Sequence, residues 1–270
     1  MYEFDCPTPI ALSLRIAGGE ADIIAEDRPT AVVEVDPADG SDASRDAAGR
    51  TRVEMQDGTL VIDAPEWTGW QFRRGPRVRV TVRLPHDGDL QVKVAAADVR
   101  AAGRYASATL NSGSGDLSVQ HVSGAASVNT ASGDARVERV DGELRVNTAS
   151  GDLSVGQVGG EFRAHSASGD IEVGRATGSV RVTTASGDVL AGTVSTGTVQ
   201  INAVSGDVSV GVAPGIGVWL DLSSVSGDTR SDLAMPDGDA DPAAATLTLQ
   251  VRTVSGDIDV HRSAMAATTG

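Results

Sequence analysis

The sequence of 270 residues has one cysteine, one lysine and eight aromatic residues. With Cys6 alone, an intrachain disulfide is impossible and a cysteine-built zinc cluster is excluded. Eight aromatics cannot fill a core, so Val, Ile, Leu and Ala must build it. Basic charge is also short: 22 Lys and Arg stand against 37 Asp and Glu, for a net charge of -15. Phosphate binding needs a basic surplus, so nucleic acid is not an expected partner. Lys93 is the only lysine, and this arginine bias points to a GC-rich bacterial genome. No stretch approaches the ~20 apolar residues needed to cross a bilayer. The run from Ile10 to Ala17 is short, holds Arg15 and follows acidic Glu3 and Asp5, which does not read as a secretory leader. The expectation is a soluble, cytoplasmic protein with no membrane insertion.

Glycine is plentiful, at 32 residues, or roughly 12% against a usual ~7%. The apolar fraction of 40% is too high for a disordered chain. Length alone allows one or two domains. Ser-Gly-Asp begins at Ser114, Ser132, Ser150, Ser168 and Ser186, 18 residues apart each time, and returns at Ser205, Ser226 and Ser255. The Asp column reaches back to Asp98. A second period of nine runs through Gly115, Gly124, Gly133, Gly142, Gly151, Gly160, Gly169, Gly178 and Gly187. Each nonapeptide reads x-Gly-x-φ-x-φ-x-x-φ, with φ apolar. One unit gives Leu117, Val119 and Val122, then Ala126, Val128 and Ala131.

The alternation φ-x-φ marks a strand with one buried face. Glycine before each strand suits a turn with positive φ or a close backbone approach. Two strands and two turns per 18 residues describe one coil of a parallel β-solenoid, a flattened β-roll of two facing sheets with strands ~4.8 Å apart. A hexapeptide helix would show a period of six. A calcium roll needs Asp in both turns, and here only one turn carries it.

Residues 1–95 read as an irregular β region continuous with the solenoid and capping it. Leu12, Leu14 and Ile16 alternate, Asp57-Gly58 suggests a hairpin turn, and Val78 to Leu84 form a clear strand ended by Pro85. Asp36–Gly49 and Asp232–Pro242 read as surface loops. The repeats occupy residues 96–262, and 263–270 read as a disordered tail. The strand within Arg77–Pro85, V-R-V-T-V-R-L-P, followed by serial S-G-D-φ-x-V units, resembles the bacterial β-strand-repeat proteins commonly labelled adhesins. The resemblance spans residues 10–262. It implies a solenoid fold and an adhesin-like binding role, and it supplies no catalytic motif.

Three groups are candidate sites. The column Asp116, Asp134, Asp152, Asp170, Asp188 and Asp207 is expected to form turns, each carboxylate accepting N–H bonds within its own turn, with weak cation binding as the alternative. Neighbouring carboxylates at ~4.8 Å repel by roughly 0.9 kcal/mol before screening. On an outward face, Arg145, Arg163 and Arg181 align, flanked by Asn147 and His165. These five are the candidate partner-binding face, with Glu143 and Glu161 near enough to compensate. Trp67, Trp70 and Phe72, followed by Arg73 and Arg74, either cap the solenoid or offer a secondary contact.

Asp237, Asp239 and Asp241 mimic the start of an EF-hand, but Pro242 stands where Gly is required and Thr248 where Glu is required. The four histidines lack metal-ligand spacing, and no nucleophile, phosphate-binding or dinucleotide motif is present. The chain therefore reads as a non-catalytic scaffold without cofactor or metal, presenting a regular surface to a protein or polysaccharide and open to homo-oligomer formation. A polysaccharide-acting β-helix enzyme and a self-assembling filament are the alternatives.

Overall fold

The computed structural model describes residues 1–65, 75–233 and 245–263. The fold is all-β, and the chain divides into two compact units, Met1–Val140 and Asp141–Gly270. Both are built from parallel coils of the kind the 18-residue period predicts.

In Met1–Val140 the strand Ala11–Glu26 makes an entire coil by bending through both sheets. It lies parallel to Asp89–Tyr105, from Leu12 opposite Leu90 to Ile24 opposite Ala102. On its other side, its first half pairs with Thr59–Asp63 and its second half with Val78–Pro85, again in parallel. The first coil in sequence is thus inserted between two that follow it. Beyond Val78–Pro85 the pairing turns antiparallel, through Thr30–Pro37 and then Tyr2–Asp5, while Arg52–Gln56 closes the other sheet. The Arg52–Asp63 hairpin turns at Asp57 and Gly58, with φ of 46° and 78°, as its Asp-Gly signal predicts.

The segment around Asp36–Gly49, expected to be a loop, contains a helix, Asp42–Arg50. Its signals are local. The Ser41 hydroxyl caps it by accepting the Ser44 N–H at 3.1 Å, while Asp42 in the first turn and Arg50 in the last suit the helix dipole. The buried Ser44 hydroxyl accepts the Arg77 N–H at 3.0 Å, tying the helix to the entry of Val78–Pro85. No helix of the described residues is long and apolar enough to cross a membrane.

In Asp141–Gly270 the coils stack with Leu144, Phe162, Val180, Val199, Leu249 and Leu220 in register along one sheet. That order departs from the sequence. Leu247–Ser255 lies between Gly197–Ser205 and Val218–Ser226, so the last coil is inserted before its predecessor. Residues 234–244, most of the second expected loop, and 264–270, nearly all of the expected tail, lie outside the described residues.

The core is aliphatic, with Tyr105 and Phe162 the only aromatic side chains fully buried among the described residues. One column differs from the sequence reading. Ala131 and Ala149 point outward, while Thr130 is buried and Thr148 half-buried. In these half-coils the alternation continues unbroken from Ala126 to Thr130. Two of the hydroxyls in this column donate to a carbonyl of the turn, Thr130 to Ser132 at 3.2 Å and Ser166 to Ser168 at 3.1 Å, while the Thr148 hydroxyl has no partner among the described residues.

The two glycine columns have different causes. Gly169 has φ of 115°, and a Cβ there would lie 2.3 Å from the Gly151 carbonyl oxygen. Gly178 has no positive φ, yet a Cβ would lie 2.3 Å from the Gly160 carbonyl oxygen. At Gly178 the stacking distance alone calls for glycine, although Ala106 holds the corresponding position in Met1–Val140.

Candidate functional surfaces

The Asp columns stand exposed at the turns, as expected, but their hydrogen bonds run between coils rather than within one turn. In Met1–Val140 the Asp116 N–H donates to Asp98 Oδ1 at 3.0 Å, and the Asp134 N–H to Asp116 Oδ1 at 2.9 Å. In Asp141–Gly270 the ladder runs Asp152, Asp170, Asp188, Asp207, Asp257, Asp228. Each N–H donates to the preceding Oδ1 at 2.8–2.9 Å. The parallel stack causes this, because it sets every carboxylate beside the next turn's N–H. The charge-assisted bond offsets the repulsion between neighbouring carboxylates. Among the described residues, no group of three His, Cys, Asp or Glu is placed to hold a metal ion.

The arginine face assembles as the spacing predicts. Leu144–Ser150, Phe162–Ser168 and Val180–Ser186 are parallel neighbours. Their register sets Arg145 opposite Arg163 and Arg163 opposite Arg181, with Asn147, His165 and Thr183 beside them. Glu143 and Glu161 interleave the guanidinium groups. Arg145 Nε donates to Glu143 Oε1 at 2.7 Å, and Arg163 reaches Glu143 at 2.9 Å and Glu161 at 2.6 Å. Arg181 lies 3.9 Å from Glu161 and donates to Gln200 Oε1 at 3.2 Å. The Arg145 guanidinium holds the Glu143 carboxyl below the ordinary carboxylate range. Three cations against two carboxylates leave the row positive, and Arg181 is the least neutralised. The row can grip an anionic or hydroxyl-rich chain lying across the strands.

Trp67, Trp70 and Phe72 lie outside the described residues, as do Asp237, Asp239, Asp241 and Pro242. Cys6 is buried, and burial raises its thiol pKa, the opposite of what a nucleophile needs.

A groove of about 630 Å³ in Met1–Val140 lies outside every column that the repeat marks. Arg15, Lys93 and Arg77 stand among its otherwise mainly apolar lining residues, which include Ile16, Val94 and Ala96. A signal was present: the Ser-Gly-Asp column, followed backwards, becomes Ala96-Ala97-Asp98 and then Gly18-Gly19-Glu20 in the structural register.

The family model described as Toastrack DUF4097 matches residues 23–235. No curated protein matches the chain. Among solved structures, a "putative adhesin" from Bacteroides fragilis is similar at 12% identity and a TM-score of 0.50, over 96% of this chain and 95% of that one. A "putative cell adhesion protein" from Clostridium sporogenes shares 11% identity over 97% of this chain and 98% of that one, with a TM-score of 0.26. At 12% identity the likeness to the Bacteroides fragilis protein concerns the fold.

Proposed function

Because the chain belongs to the Toastrack DUF4097 family and is similar in fold to a solved protein named a putative adhesin, we propose that it is a non-catalytic binding scaffold. Its contact surface is the face of Arg145, Arg163 and Arg181, with Asn147 and His165 alongside. The observation that carries this reading is the register of the three arginines on adjacent strands, outside the core and only partly compensated by Glu143 and Glu161. Guanidinium groups repeating at the strand spacing match a linear partner with regularly placed acidic or hydroxyl groups, a polysaccharide or an extended acidic peptide.

The test replaces Arg145, Arg163 and Arg181 together by Ser. Surface replacements of this kind shift stability by about 0.5 kcal/mol or less per site, so the variant stays folded. Immobilised wild type and variant are compared for retention of a uronic-acid polysaccharide and of components of the native cell extract. Retention by the variant falls several-fold and loses most of its dependence on salt. Equal retention at equal salt dependence would remove the arginine row from consideration as the contact surface.

A further inference from the structure

The groove in Met1–Val140 lies where the repeat departs from its own rule. Elsewhere the turn edge is lined by Ser-Gly-Asp and is polar, and the concavity found there is lined by carboxylates such as Asp188 and Asp207. In the coils Ala11–Glu26 and Asp89–Tyr105 the corresponding positions are Gly18-Gly19 and Ala96-Ala97. Without serine side chains, the edge opens into an apolar concavity whose volume falls within the usual range for small-ligand sites.

Its charge is opposite to that of the chain. Arg15 and Lys93 occupy matched positions on adjacent parallel strands, and Arg77 approaches from the segment leading into Val78–Pro85. All three are exposed. Like charges on neighbouring strands repel, and Asp63, opposite Arg15 on its other side, offsets this only in part because Arg52 shares it. The nearby carboxylates make their closest contacts with other groups, although Asp63 stands opposite Arg15 and Asp39 feels the charge of Arg77. Asp63 pairs with Arg52 at 3.7 Å, Glu20 with Arg79, and Asp39 accepts the Ser41 N–H at 2.9 Å. None of the three groove cations has an ion pair among the described residues, in a protein of net charge -15.

We propose that this groove binds a soluble single-chain organic anion, with its carboxylate between Arg15 and Lys93 and its apolar chain along the solvent-facing Ala17, Ala95, Ala96 and Pro76. A concave groove between two turns takes one chain. Binding to a bilayer would call for an apolar surface that projects. The inference is independent of the arginine face in Asp141–Gly270, so either can fail without the other.

The test is calorimetric titration of the full chain with sodium decanoate and, as the opposite head group on the same chain length, decyltrimethylammonium, both below micelle formation. Saturable 1:1 binding of decanoate alone is the expected result. Arg15→Ser with Lys93→Ser weakens it about tenfold or more, the effect of losing a charge-assisted bond. Ala96→Leu, which leaves the cations and fills the groove, weakens it as well, with circular dichroism reporting that both variants keep their β-structure. Equal affinity for the two head groups, no saturable decanoate binding, or full affinity in the double variant would overturn the proposal. So would sedimentation with phosphatidylglycerol vesicles by a protein that ignores free decanoate, which would make the cations a membrane contact.

Discussion

Four glycine-to-alanine variants separate two physical demands that the repeat combines. At Gly49, near the end of Asp42–Arg50, a Cβ meets nothing within 4 Å. Alanine there gains about 0.5–1 kcal/mol through helix propensity. At Gly215, φ is 77° and the space is again open, so alanine pays only the backbone cost of ~1–2 kcal/mol. At Gly178 the backbone is ordinary, but the new Cβ would lie 2.3 Å from the Gly160 carbonyl oxygen. Carbonyl oxygens within a stacked coil cannot rotate aside as a flexible side chain would. The coils must separate locally, at the ~1–3 kcal/mol typical of overpacking. Gly169 combines both demands, a φ of 115° and a contact of 2.3 Å, so its loss is ~2–5 kcal/mol.

The predicted order of stability is therefore Gly49→Ala above wild type, then Gly215→Ala and Gly178→Ala below it, with Gly169→Ala lowest. Thermal unfolding followed by far-ultraviolet circular dichroism reads this order at about 3 °C per kcal/mol for a chain of this size. The decisive variant is Gly178→Ala. If it melts with wild type, the coils are not stacked at the distance that makes glycine obligatory, and the second glycine column needs another explanation. If Gly215→Ala costs as much as Gly169→Ala, close approach adds nothing at the Ser-Gly-Asp turns.

Other outcomes follow from the same geometry. Deleting Leu153–Asp170, one whole 18-residue period, joins Asp152 to Ile171 and leaves a folded protein, whereas deleting only Leu153–Glu161 moves later strands to the wrong sheet and abolishes cooperative melting; equal tolerance of both refutes the two-strand coil. Tyr105 is buried, its hydroxyl donating to the Ala102 carbonyl at 2.9 Å, and burial raises its pKa. Its neutral form is the native one, so its contribution is complete below the ordinary tyrosine pKa of about 10 and is lost as pH rises towards the higher folded value. Alkaline absorbance titration then shows Tyr105 ionising only with unfolding, and ionisation in a still-folded chain contradicts that account. Because each ladder Oδ1 already accepts a backbone N–H, excess chelator and millimolar calcium shift the melting midpoint by only a few degrees relative to each other; loss of β-structure in chelator identifies the Asp column as a metal site.

The repeat was legible because one selection pressure acts on every coil. Positions such as Leu144, Phe162 and Val180 meet the same neighbours, so the sequence repeats wherever the environment does. What escaped was whatever depends on order rather than spacing. The period places Ser226 before Ser255, and nothing in it forbids the later coil from pairing first with Gly197–Ser205. Parallel strands of equal pattern are interchangeable in the stack, and only the connecting segments decide their order. The same ambiguity hid the insertion of Ala11–Glu26 between Val78–Pro85 and Asp89–Tyr105. The Ala131 column failed for a different reason. Alanine is small enough to be read as core or surface, and the deciding group was the Thr130 hydroxyl, which can be buried because the turn carbonyl accepts its proton.

The candidate surfaces divide along the same line. The arginine face was visible as a column because its residues recur with the coil, and its partial neutralisation by Glu143 and Glu161 was visible with it. The groove between Arg15 and Lys93 shows no column, since it exists where the repeat lapses. Regular coils can offer a partner only copies of one environment, which suits a long repetitive ligand. A discrete small ligand needs an environment found once, and in a solenoid that means a position where small residues replace the usual turn and the charge changes sign. Departures from the period, such as Gly18-Gly19 and Ala96-Ala97, are therefore the places to read for specific chemistry in a chain of this kind.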